Sequence, residues 1–312
     1  MEYVKLGKSD FKISVIGLGM WQAGGAPWGK DVTDETSIAA IIRAHELGIN
    51  LFDTAEGYGS GHSEEVLGKA VKQIGRENTV IATKVHGGHL RYDDVIRACK
   101  LSLQRLGVNE IDLYQVHWPD PWQQVPLKET MRAMERLYKD GQIRAIAVSN
   151  FAVRDLVEAR QILPVTDIVS DQVRYNTLQR EIEEEVLPYC RRENISILAY
   201  SPLAQGALTG KYDEKNKPSD DVRRGNKLFT DGNIAQVSKL LDVLRRIGNS
   251  RGKTVAQVAL NWLIKDEFVI PIPGAKNPKQ VEENAGAAGW KLAKREIEEI
   301  TKVSNALKLD YF

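Results

Sequence analysis

The feature that most constrains this chain is a rhythm. Short apolar runs rich in Val, Ile and Leu alternate with longer stretches of helical period from residue 16 onward. The runs fall at 16–19, 50–53, 80–84, 111–116, 143–148, 168–171, 196–199 and 268–271, each of a length that suits a buried strand. The helical stretches fall at 36–47, 64–73, 93–106, 127–139, 153–161, 182–192, 234–247 and 279–287, and the capping box Thr254–Gln257 opens one more. Early strand starts recur roughly thirty residues apart, the length of one βα unit. Eight such units predict a closed parallel (β/α)8 barrel of the TIM type.

The competing architecture is a doubly wound open sheet, whose first turn carries G-x-G-x-x-G. Gly57-Tyr58-Gly59-Ser60-Gly61 comes near that signature, but the third glycine position holds His62, so the spacing fails. A hairpin is expected ahead of the barrel, with alternation on either side of the turn Gly7-Lys8-Ser9-Asp10. No linker interrupts the series, so residues 1–312 are expected to form one domain. The exception to regularity is 203–231, a long loop after the seventh strand that carries Lys211, Arg223, Arg224 and Lys227. Loops of that length are often functional, and barrels often bind phosphate there.

Charge narrows the function classes. Lys+Arg number 43 and Asp+Glu 42, a net +1, which gives no global bias toward nucleic acid or an anionic membrane. Cys99 and Cys190 lack CxxC spacing and histidines at ligand intervals, so neither a disulfide nor a metal site is expected. The first residues lack the charged-then-apolar layout of a secretion signal, and the expected address is the cytoplasm.

Barrel active sites sit at the C-terminal strand ends. Collected there are Asp53 and Tyr58 after the second strand, Lys84 at the end of the third and His117 after the fourth. Together they suit hydride transfer coupled to protonation. Negative charge that develops on a carbonyl oxygen needs an acid. Tyr58 can be that acid, Lys84 the cation that makes the phenol a better donor, and Asp53 the partner that orients Lys84. His117 can hydrogen-bond the carbonyl oxygen. A Schiff-base aldolase using Lys84 competes, but a close Asp53 would hold the amine protonated, against that chemistry.

Several motifs in order carry a specific resemblance: 16–21 (IGLGMW), 52–59 (FDTAEGYG), 82–84 (ATK), 114–119 (YQVHWP), 199–203 (AYSPL) and 206–212 (GALTGKY). Over nearly its whole length the chain resembles aldo-keto reductases, in particular the bacterial and archaeal branches and the related potassium-channel β subunits. The resemblance puts Asp53, Tyr58, Lys84 and His117 at the family's four catalytic positions. It implies that Ser149, Asn150 and Gln172 hold the nicotinamide carboxamide and that Tyr200 stacks on the nicotinamide ring. Ser201, Pro202, Leu203, Gly206 and Lys211 would follow along the cofactor. Gly274, Ala275, Lys276, Gln280, Glu283 and Asn284 would hold the adenosine end, where Asn277 and Pro278 open a helix. Gln280 stands where many members have arginine, so NADP(H) is expected as the preferred cofactor, with NAD(H) also open to use. Trp21 and Trp118 are expected in the substrate pocket, with Trp28 and Trp122 near the rim or packed in loops. A small carbonyl compound is the expected substrate. The channel relatives imply a second class, a slow-turnover cofactor sensor that regulates a partner.

Overall fold

Period-two alternation sorts the strand side chains into two cores. The computed structural model describes residues 1–25, 28, 32–122 and 124–311. A hairpin of β1 (Tyr3–Lys5) and β2 (Lys12–Ser14) precedes the parallel strands β3 (Leu18–Gly19), β4 (Leu51–Asp53), β5 (Val80–Val85), β6 (Ile111–Val116), β7 (Ile143–Ser149), β8 (Ile168–Arg174), β9 (Ser196–Tyr200) and β10 (Val269–Pro271). These eight pair in sequence order. The ends meet where Gly17 N–H donates to Pro271 O at 2.9 Å and Gly19 N–H to Pro273 O at 3.1 Å, which closes the barrel.

Inward-facing Leu51, Ala82, Leu113, Ala147, Leu198 and Ile270 pack together, and Leu6, Phe11 and Ile13 of the hairpin cap that cluster from the N-terminal end. Outward-facing Phe52, Ile81, Tyr114, Ile146 and Ile197 join a second cluster with the surrounding helices. Those are α1 (Asp34–Glu46), α2 (His62–Ile74), α3 (Tyr92–Leu106), α4 (Leu127–Lys139), α5 (Val153–Ile162), α6 (Val186–Arg192), α7 (Asp231–Arg251), α8 (Val255–Leu263), α9 (Pro278–Ala285) and α10 (Lys294–Ala306). Bulky side chains therefore fill the lower barrel, and polar ones are left for the upper end where the loops converge.

Three expectations need correction. The helix expected over 182–192 is a 3₁₀ turn at Glu181–Glu183 followed by α6. Pro188 has no N–H for the carbonyl of Glu184, and its ring crowds that carbonyl, so the helix restarts just before it. The loop over 203–231 contains 3₁₀ turns at Ala204–Thr209 and Lys227–Phe229. Helix α10 was not foreseen; its Trp262 contact, Nε1–H to Thr301 Oγ1 at 3.1 Å, ties it to α8. No helix among the described residues is long and apolar enough to cross a membrane.

Candidate active site

The site grows out of the inward face of the ladder. Lys84 pairs with Gln115 across β5 and β6, and Asp53 lies one strand away on β4. Lys84 is fully buried, and its three donors have three partners: Asp53 Oδ1 at 2.6 Å, Thr54 O at 2.7 Å and the Tyr58 hydroxyl at 3.3 Å. Asp53 Oδ2 accepts from Gln115 Nε2 at 2.9 Å and Gln172 Nε2 at 2.7 Å. The ion pair is thus hydrogen-bonded on every side, the condition under which a buried pair is tolerated. The Tyr58 hydroxyl accepts from Lys84, and no acceptor for its own proton lies among the described residues.

His117 meets Tyr58 edge to face, with ring centroids 5.8 Å apart. Burial, and then the charge of Lys84, push its imidazole down to about 3, so it is neutral; its Nδ1 is buried with no partner among the described residues. Burial pushes Lys84 down, but Asp53 and Tyr58 together outweigh it, so its value is raised and the ammonium stays charged. For Tyr58 the cation acts as expected, and burial acts against it. Burial raises the phenol above its ordinary value; Lys84 pulls it down but does not cancel that rise.

Above the four lies a cavity of about 790 Å³. Trp21, Trp118 and His86 line one end and Gly274, Lys276 and Asn284 the other. Trp28 also lines it, whereas Trp122 stands away from it, 78% exposed. Between those ends, Asn150 adopts φ 62°, a left-handed conformation costly for a non-glycine residue. Its amide donates to His117 O at 3.1 Å and accepts from the Tyr200 hydroxyl at 3.0 Å. Ser149 Oγ donates to Gln172 O at 2.7 Å. Gln172 thus lines the cavity, but its amide N–H groups are spent on Asp53 and Gln115.

Ser201, Pro202, Leu203, Gly206 and Lys211 line the far wall, as do Gln280 and Glu283, whereas Ala275 does not touch the cavity. Asn277 caps α9 with Pro278 in its first turn, as the sequence predicts. Gln280 Oε1 accepts Lys276 N–H at 2.8 Å, and Lys276 Nζ donates to Trp28 O. Asn284 Nδ2 donates to Gly274 O at 3.3 Å. A Cβ at Gly274 would fall 2.2 Å from the Gln22 side-chain amide, which would have to swing aside to admit it.

Sequence reasoning missed Gln115, Gln22 and His86, and gave Arg223 no role. Arg223 holds the loop in place: its Nε donates to Asp220 at 2.7 Å and its Nη1 to the Tyr212 hydroxyl at 2.7 Å. Strand alternation from Lys84 would have found Gln115, since paired residues of neighbouring strands face the same way.

The residues fit a dinucleotide. The cavity has the size of a cofactor site, Lys211, Arg223 and Lys276 line it, and Gln22 Oε1 and His117 Nδ1 are buried with no partner among the described residues. Residues 15–305 match the model of the aldo/keto reductase family. The chain belongs to that family. This aldo/keto reductase is 38% identical to aldo-keto reductase YhdN of Bacillus subtilis, over 97% of this chain and 93% of the other. It is 34% identical to the NADH-specific methylglyoxal reductase of Escherichia coli, over 99% of this chain and all of the other. Its fold superposes on an aldo-keto reductase of Klebsiella pneumoniae in complex with NADPH, with a TM-score of 0.78 and 30% identity over 100% of this chain and 99% of that one. Its chemistry is carbonyl reduction by a nicotinamide-dependent oxidoreductase.

Proposed function

We propose that this protein reduces aldehydes and ketones to alcohols, with Tyr58 as proton donor and NADP(H) preferred over NAD(H). The observation that carries the reading is the Tyr58 hydroxyl, which accepts from Lys84 at 3.3 Å and keeps its own proton for a ligand. Bound in the cavity, the reduced nicotinamide supplies the hydride. Neutral His117 donates to the substrate oxygen and sets its direction. Tyr58 passes its proton to that oxygen, and buried Lys84, held charged by Asp53, stabilises the phenolate left behind. Ser149, Asn150 and Gln172 hold the carboxamide, and Tyr200 offers its ring face to the nicotinamide. Trp21 and Trp118 wall the substrate end.

Lys276 and the first turn of α9 suit an anionic 2′-phosphate, which favours NADP(H). Gln280 supplies no charge, and the Escherichia coli relative is NADH-specific, so NAD(H) serves as well. A chain-wide unit, residues 1–312, working in the cytoplasm on small carbonyl compounds completes the reading. The test mixes purified protein with NADPH or NADH and a panel of aldehydes and follows reduced-nicotinamide absorbance. Turnover is expected. Stable NADPH binding without turnover would instead favour a cofactor-sensing accessory subunit.

A further inference from the structure

Asp53 on β4, Gln115 on β6 and Gln172 on β8 sit on alternate strands of the barrel, and alternate strands supply the side chains of one layer. Their polar ends form a closed triangle. Asp53 Oδ2 accepts from Gln115 Nε2 at 2.9 Å and from Gln172 Nε2 at 2.7 Å, and Gln115 Oε1 accepts from Gln172 Nε2 at 3.2 Å. Chemistry fixes which way each amide faces. An ion-paired carboxylate only accepts, so both amides turn their nitrogens to Asp53. Gln115 then meets Gln172 with its oxygen and takes the second of the two Nε2 hydrogens. Gln172 is left with no donor to spare. Its carbonyl Oε1 accepts from none of the described residues, and the side chain lines the cavity. Gln115 itself is fully buried and stands outside the cavity wall.

From this triangle we infer that Gln115 is a positioning residue that sets how strictly the nicotinamide end of the cofactor is read. By occupying the second Nε2 hydrogen it makes Gln172 an acceptor alone, so the site demands an N–H donor on the nicotinamide substituent. A carboxamide supplies that donor. A substituent with only a carbonyl leaves Oε1 unpaired and meets no free N–H from Gln172. With an apolar side chain in place of Gln115, Gln172 keeps one bond to Asp53 and gains a free N–H. The amide then pivots about that bond to donate or to accept, and the demand relaxes. The inference rests on the reading above in which Gln172 holds the carboxamide.

The test compares dissociation constants of NADP+ and its 3-acetylpyridine analogue, in which a methyl ketone replaces the carboxamide. Quenching of tryptophan fluorescence reads both without turnover, since Trp21 and Trp28 line the cavity. The proteins are wild type, Gln115→Met, Gln115→Leu, Gln172→Met and the Gln115→Met/Gln172→Met double variant. Two apolar residues of different shape guard against one variant that fails to fold. Wild type is expected to bind NADP+ at least about 10-fold more tightly than the analogue, the cost of an unpaired buried acceptor. Either Gln115 variant should narrow that ratio by about 3- to 10-fold, the worth of one neutral hydrogen bond. Gln172→Met should narrow it at least as far, and adding Gln115→Met should change nothing more, because the two act through one amide. A ratio unmoved by both Gln115 variants but narrowed by Gln172→Met would overturn the inference and leave Gln115 a packing residue. Wild type binding both cofactors alike would overturn it as well. A ratio unmoved by Gln172→Met would overturn the assignment of the carboxamide to Gln172, and this inference with it.

Discussion

The Lys84 ammonium donates to the Tyr58 hydroxyl at 3.3 Å, the longest of its three hydrogen bonds. The two shorter bonds fix the cation on Asp53 and the Thr54 carbonyl. Lys84 is therefore anchored independently of Tyr58, and the phenol can gain and lose a proton without releasing the charge below it.

Tyr58→Phe follows from that anchoring. It removes the proposed acid and leaves the Asp53–Lys84 pair hydrogen-bonded, so the fold should survive. Turnover should drop by about 100-fold or more, the scale of general acid catalysis. NADPH affinity, measured by fluorescence quenching, should stay near wild type. Ordinary aldehyde reduction by this variant would show that another group supplies the proton.

His117 gives a prediction with a definite sign. Its folded value, about 3, lies below the unfolded value of about 6.5. Below 6.5 the unfolded chain takes up a proton that the folded chain refuses, so stability contributed by this group is lost as pH falls toward 3. The slope is about 1.4 kcal/mol per pH unit across that window. His117→Gln cannot titrate. Urea melts at pH 7 and pH 5 should therefore show a smaller loss in the variant than in wild type. Equal losses would mean that His117 takes up its proton while folded.

Much of this architecture could be read from the residues because barrel geometry repeats. Eight apolar runs and their strand-end polar residues sufficed for the closure and for Asp53, Tyr58, Lys84 and His117. What escaped depends on pairing and local geometry. Gln115 looks like one polar residue inside an apolar strand until β5 and β6 are set in register beside Lys84. The loop after β9 turns through Ser201, Ala204 and Gln205 at positive φ, a conformation that no residue type there announces. Helix α10 escaped because Ile297, Ile300 and Val303 form only a thin apolar stripe among charges. Lys84 lowers the Tyr58 phenol as its position in the sequence suggests, while burial, invisible in sequence, raises it by more.

Lys276 joins two tasks. Its ammonium donates to the Trp28 carbonyl and lines the cavity. Lys276→Ala should weaken both cofactors by loosening that loop. NADPH should suffer more than NADH, by about 1.5–3 kcal/mol for a charge-assisted contact to the 2′-phosphate. Dissociation constants for both cofactors, measured at one ionic strength, decide the point. Equal weakening would assign Lys276 to the loop alone.

Asp171 carries a prediction of the opposite sign to His117. It follows Ser170 on β8, is fully buried, and neither carboxyl oxygen has a side-chain partner among the described residues. Burial pushes the carboxyl well above its usual range, with the Asp155 charge acting the same way and the Phe151 backbone N–H opposing. The folded chain therefore holds a proton that the unfolded chain releases above about pH 3.9. The stability this group contributes is complete below that value and falls as pH rises toward the folded value. Asp171→Asn keeps the shape and removes the ionisation. It should match wild type in urea melts at pH 4 and exceed it at pH 8 by about 1–3 kcal/mol. A variant no more stable at pH 8 than at pH 4, relative to wild type, would show that Asp171 ionises inside the fold.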